Sequence, residues 1–158
     1  MTEKYVEVPD RIAPPEGAQW WVERIAEYTY VGHNARGSQV LLGPADAGLE
    51  NSFSPVDLLK IALAACAGMS TNSVIARALG QTYAQTIAID GETHSDEDRY
   101  RAFSEQMLLD TSELTPEQIE DLADAVKRGL KRFCTVSNTV EGDTTVTMDV
   151  KSSPRTTD

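Results

Sequence analysis

Ser54-Pro-Val-Asp-Leu-Leu-Lys-Ile-Ala-Leu-Ala-Ala-Cys-Ala-Gly-Met-Ser-Thr-Asn-Ser-Val-Ile-Ala-Arg-Ala-Leu-Gly80 reads as one long helix with both of its ends encoded. Ser54 is placed to cap the first turn, Pro55 to occupy the first helical position, and Asp57 to reach back from the third position to the cap amide. Phe53 and Leu58 fall at the two staple positions that fix the angle of entry. Gly80 supplies the left-handed residue that ends the helix, so the predicted span is Pro55 to Leu79, with Cys66 near its middle. The length invites a transmembrane reading, but Gly68, Ser70, Thr71, Asn72, Ser73 and Arg77 dilute the apolar run, and a buried helix is expected instead.

On the N-terminal side, Trp20 to Val31 alternates, with Trp21, Ile25 and Val31 on one side and Val22, Ala26, Tyr28 and Tyr30 on the other, as a strand does. The turn-prone Gly32-His-Asn-Ala-Arg-Gly37 follows, then a second strand over Ser38 to Leu42 and a loop holding Gly43, Pro44 and Gly48. On the C-terminal side, Tyr83 to Ile89 and Tyr100 to Leu109 alternate around the polar turn Ser95-Asp-Glu-Asp98, predicting another hairpin. A second capped helix follows, with Thr115 as cap, Pro116 first and Gln118 third; Ile119, Leu122, Ala123, Val126 and Leu130 form its apolar stripe. Cys134 comes at its end, Glu141-Gly-Asp143 makes a turn, and Val146, Met148 and Val150 alternate in an expected last strand. Hairpins interrupted by two helices predict an α+β fold with antiparallel sheet around a long buried central helix.

The chain has 158 residues, 41% hydrophobic and 25% charged, which is expected to make a single domain over residues 1–158. Its core is expected at about residues 20–150, with an N-terminal arm over 1–19 and a polar tail over 152–158. The net charge of −11 repels phosphate backbones and anionic surfaces, so neither nucleic acid nor membrane is an expected partner. The opening Met-Thr-Glu-Lys-Tyr-Val-Glu-Val-Pro lacks the basic and apolar regions of a secretory signal, which favours the cytoplasm. In a reducing compartment two cysteines are poor candidates for a permanent staple.

Cys66 and Cys134 therefore either fill volume or do chemistry together. A thiol in apolar surroundings is mostly protonated at neutral pH, and an active Cys66 is expected to need a cation. Arg77 is eleven residues away, roughly 16 Å along the helix axis, and Lys60 is at the wrong angle. Arg36, in a turn between Ala35 and Gly37, is the candidate, though a turn arginine is as readily a solvated one. His33 and His94 both fall in predicted turns, and with the cysteines they make no compact zinc pattern. Asp57 is better explained as a helix cap than as a catalytic carboxylate, because nine residues place it on the face opposite Cys66. Trp20, Trp21, Tyr28 and Tyr30 are expected in core or interface.

Two segments carry a resemblance. Ser54-Pro-Val-Asp-Leu-Leu-Lys-Ile-Ala-Leu-Ala-Ala-Cys66, with proline eleven residues before the cysteine, resembles the motif helix of the OsmC/Ohr family. Cys134-Thr-Val-Ser-Asn-Thr-Val140 resembles that family's second cysteine motif, and the order of elements agrees from about Trp20 to Val150. The resemblance implies an intertwined homodimer in which two central helices pack together inside sheets from both chains. It also implies a thiol peroxidase acting on organic hydroperoxides. Cys66 would attack the O–O bond and become a sulfenic acid, Cys134 would resolve it as a disulfide, and an external dithiol would reset the pair without a cofactor or metal. Arg36 is the nearest match to the family's ionising arginine.

Two positions depart from that pattern. Where the peroxidases carry glutamate after the motif proline, to anchor the arginine, this chain has Val56; Thr135 replaces a proline in the second motif. The alternative expectation is thus a dimer of the same fold that binds a small apolar ligand or senses thiol redox state.

Overall fold

The computed structural model describes residues 12–44 and 49–155. The N-terminal arm up to residue 11, Gly48 of the expected loop and the last three tail residues lie outside the described residues. The chain divides into two compact units, residues 1–58 with 147–158 and residues 59–146.

The first unit holds a three-stranded antiparallel sheet in the order β1 (Trp20–Ala26), β2 (Thr29–Asn34), β3 (Gln39–Leu42). The single strand expected from Trp20 to Val31 is two strands. Ala26 pairs with Thr29 across a two-residue turn, in which Tyr28 takes φ 50°. Such a turn needs positive φ, which glycine or asparagine usually supplies, so a tyrosine there conceals it from the sequence. The register places Trp21 opposite His33 and Glu23 opposite Val31 on one face. His33 is accordingly not in a turn: its ring stacks on Trp21 with centroids 5.1 Å apart, and its Nε2 lies 3.2 Å from Glu23 Oε2.

Among the described residues the expected last strand is not formed. Residues 143–150 make no ladder, and Val146, Met148 and Val150 are 89%, 87% and 94% exposed. The alternation is present, but a strand persists only where its N–H and C=O groups find a neighbouring edge.

The boundary between the units falls inside α1 (Pro55–Leu79). Its start is capped as expected: Ser54 N–H donates to Asp57 Oδ2 (2.9 Å), and Asp57 N–H donates to Ser54 Oγ (3.1 Å). Gly80 ends it at φ 90°. In the second unit β4 (Gln85–Thr93) and β5 (Tyr100–Leu109) form an antiparallel hairpin, followed by α2 (Pro116–Phe133) and a short α3 (Thr135–Glu141). Thr115 and Gln118 form the predicted reciprocal cap of α2. A side chain at Gly68 would meet Gln85 Oε1 at 3.2 Å and Ile87 Cδ1 at 3.4 Å, so glycine lets β4 approach α1. Gly129 does the same for α2, since a Cβ there would lie 3.5 Å from Thr71 Cγ2.

The expectation of a buried α1 holds for one stripe only: Leu63, Ala67, Thr71, Ile75 and Ala76. The helix is long and apolar enough to cross a membrane, yet only 22% of its apolar window is buried. Leu59, Ile61 and Met69 are 38%, 45% and 79% exposed, which leaves an apolar face uncovered.

Candidate dithiol site

Cys66 projects from the middle of α1, half-buried, and Cys134 is buried at the junction where α2 ends and α3 begins. Both are free thiols, and the two lie near enough for each to shift the titration of the other. Chain separation hid this pairing; the fold creates it by ending α2 beside α1. Cys134 N–H closes the last turn of α2 on Leu130 O (3.0 Å), while Cys134 O accepts from Asn138 N–H (3.0 Å) to open α3.

α3 is the element that sequence reasoning missed, because Thr135-Val-Ser-Asn-Thr-Val is a poor helix former. Side chains hold it instead: Thr139 Oγ1 donates to Thr135 O (2.7 Å), and Ser137 Oγ to Glu141 Oε1 (3.1 Å). Its first turn turns backbone N–H groups toward Cys66. The N–H of Val136 is the largest influence on that sulfur and pulls its pKa down. Burial opposes it, and the Cys134 thiol, the Ser70 hydroxyl and the Thr135 N–H add to the lowering. Ser70 sits one turn along α1, with Oγ 3.9 Å from Cys66 Sγ, a spacing that the sequence did display.

The cation expected for ionising Cys66 is thus replaced, within this unit, by neutral donors, which favour a thiolate by hydrogen bonding rather than by charge. Lys60 is occupied elsewhere, its Nζ 5.0 Å above the Tyr100 ring. Arg36 belongs to the first unit, in the β2–β3 turn, where Asn34 Oδ1 accepts from the N–H groups of Arg36 (2.9 Å) and Ser38 (3.1 Å).

Cys134 is driven the other way. Burial is the first cause of its raised pKa, the Ser137 backbone N–H opposes it, and the Cys66 side chain and, last, the Glu105 charge add to the rise. The two sulfurs are therefore unequal: one is poised as thiolate, the other as thiol. Such a pair can attack an electrophile with Cys66 and then close a disulfide with Cys134.

Beside α1 lies an apolar cavity of about 680 Å³, lined by Ile61, Ala65, Gly68 and Met69 of the helix and by Ile87 and Ile89 of β4. Cys66 is not among its lining residues. At one end Tyr83 OH donates to Asn72 Oδ1 (2.8 Å). Among the described residues no group of three or more His, Cys, Asp or Glu side chains converges as a metal ion would require.

A protein of Mycobacterium tuberculosis, named as uncharacterized, is 41% identical over 132 residues, 84% of this chain and 95% of the relative. The solved structure of an OsmC-like protein from Mycoplasma pneumoniae superposes with a TM-score of 0.52 at 16% identity, over 90% of both chains. A hypothetical protein from Aquifex aeolicus gives 0.61 at 16% identity, covering 80% of this chain and 88% of its own. The sequence pattern of the OsmC-like proteins matches residues 48–149, from before the cap of α1 to beyond α3, and the chain belongs to that family.

Proposed function

We propose that the protein is a thiol peroxidase that reduces organic hydroperoxides. The observation that carries this reading is the nearness of a Cys66 thiol held low by backbone donors to a Cys134 thiol held high by burial. The Cys66 thiolate attacks the outer oxygen of the hydroperoxide; the O–O bond breaks, the alkoxide takes a proton and leaves as alcohol, and Cys66 becomes a sulfenic acid. The Cys134 sulfur then displaces the hydroxyl, which leaves as water, and an external dithiol reduces the disulfide. No cofactor or metal enters the cycle, and a cytoplasmic setting would supply the reductant. Arg36 enters this reading from the family resemblance alone, as the guanidinium that would assist the thiolate.

The protein acts in this reading as a homodimer. The uncovered stripe of α1 and the unpaired alternating segment at Val146, Met148 and Val150 are what a second copy would cover.

Stoichiometric cumene hydroperoxide, followed by intact mass and thiol counting, tests the chemistry. Loss of about 2 Da with both thiols consumed is expected; thiols that survive unchanged overturn the assignment.

A second reading rests on Val56 and on the cavity. Position 56 offers no carboxylate, and the apolar cavity lies on the face of α1 away from Cys66. A binding protein for a small apolar ligand would use that cavity. It predicts oxidation of Cys66 no faster than that of a free small thiol.

A further inference from the structure

The cavity beside α1 is apolar except at Gln85, Asn72 and Tyr83. Gln85 opens the half-buried row of β4 that continues through Ile87 and Ile89, and it is the polar one of the three. Its carboxamide lies against α1, with Oε1 3.2 Å from where a Cβ on Gly68 would stand. The nitrogen of that amide, Nε2, is buried and has no hydrogen-bond partner. A buried donor without an acceptor weakens a fold, and its presence in a cavity wall points to an acceptor that arrives from outside the chain.

The rest of the cavity says what kind of acceptor fits. Tyr83 OH donates to Asn72 Oδ1 (2.8 Å), so this end also presents amide hydrogens rather than a free acceptor. No lysine, arginine or histidine among the described residues lines the cavity, and the chain carries a net charge of −11. A carboxylate entering there would lose its water and meet no cation, whereas an uncharged carbonyl oxygen loses far less. From Ile61 to Asn72 the lining follows α1 for eleven residues, roughly 16 Å, which suits a straight chain of roughly eight to twelve carbons.

We propose that this cavity binds a neutral straight-chain carbonyl compound, such as a fatty-acid ester, whose carbonyl oxygen accepts from Gln85 Nε2 while its chain lies along Ile61, Ile87 and Ile89. A half-turn of the carboxamide exchanges Oε1 and Nε2 and brings the donor to the cavity wall, a rotation that a broad, two-fold terminal torsion permits. The inference rests on the apolar-ligand reading and names its ligand class. It is independent of the dithiol chemistry, since Cys66 does not line the cavity.

Displacement of the fluorescent dye phenylnaphthylamine from the intact protein tests it. The dye is neutral and has no carbonyl, so it needs only the apolar walls. Methyl octanoate is expected to displace it at least tenfold more effectively than octanoate does. Gln85→Leu and Gln85→Met, close in volume but without the amide, are expected to weaken methyl octanoate about tenfold and to leave dye affinity within about twofold. With the orphan donor gone, both variants should also melt higher than the unaltered protein, by roughly 2–4 °C. Equal displacement by methyl octanoate in all three proteins, a preference for octanoate, or lower melting in both variants overturns the inference while the dye still reports an apolar site. A dye that does not bind, as when a second copy fills the cavity, overturns the apolar-ligand reading with it. Thiols that resist hydroperoxide count against the peroxidase reading alone.

Discussion

The backbone N–H of Val136 is the largest influence drawing the Cys66 sulfur toward its thiolate, although seventy residues separate them in the chain. The donor is an amide that α3 cannot use, because the first N–H groups of a helix have no partner inside it. Its loss should therefore cost the helix little and the thiolate much. Val136→Pro removes that N–H at a position in the first helical turn, where proline is tolerated. The midpoint for alkylation of Cys66, followed by peptide mapping, is expected to rise by about one pH unit. Val136→Ala, which keeps the amide, should leave it in place, and an unchanged midpoint in the proline variant would remove the amide from the site.

Ser70 contributes through a longer contact, 3.9 Å from Oγ to sulfur, and ranks below Val136 among the groups that favour the thiolate. Ser70→Ala is expected to slow Cys66 alkylation at neutral pH by about twofold, since a hydrogen bond to a charged group is worth more than a neutral one but this one is stretched. A tenfold loss would mean that the hydroxyl, not the amide, is the main support.

The pH dependence follows from the signs. Cys66 is lowered, so its thiolate persists as pH falls until its own pKa is passed, below which reactivity drops about tenfold per pH unit. The rate of hydroperoxide consumption should therefore reach half its plateau below the ordinary thiol value of about 8.5. Cys134 is raised, so in the Cys66→Ser protein the remaining thiol should titrate above that value. Coincident midpoints for the two single-cysteine proteins would show that the fold does not distinguish them.

The cap of α2 is independent of the site and tests the fold. Thr115 Oγ1 accepts from Gln118 N–H (3.3 Å), while Gln118 Oε1 accepts from Thr115 N–H (2.9 Å). Thr115→Ala is expected to cost about 1 kcal/mol, a fall in melting temperature of roughly 2–4 °C by thermal denaturation, without altering Cys66 reactivity.

How much of this was legible depended on whether a signal is local. α1 could be read to the residue at both ends and α2 at its start, because serine, threonine, proline and glycine write helix ends into adjacent positions. The β1–β2 turn could not, since Tyr28 adopts a conformation that its side chain does not advertise. Nor could α3, held by side-chain bonds that outweigh poor propensity. For the site, the spacing of Cys66 and Ser70 was visible. The amides of Thr135 and Val136 leave no trace in a list of side chains. A search among charged side chains could not find them.

The uncovered face of α1 yields the remaining prediction. Met69 is 79% exposed and Ile61 45%, on a helix whose apolar character would otherwise demand burial. Leaving such a stripe in water is costly at about 25 cal/mol per Å² of apolar surface, which favours association through this face. Met69→Lys places a charge in the stripe without touching the buried side of the helix, where Leu63, Ala67, Thr71 and Ile75 lie. Size-exclusion chromatography with light scattering is expected to give a dimer for the unaltered protein and a monomer, or at least a tenfold weaker dimer, for the variant. Ser73→Ala, which adds no charge to α1, should leave the dimer intact. A protein monomeric before any substitution would refute the association and leave the apolar stripe without a cover.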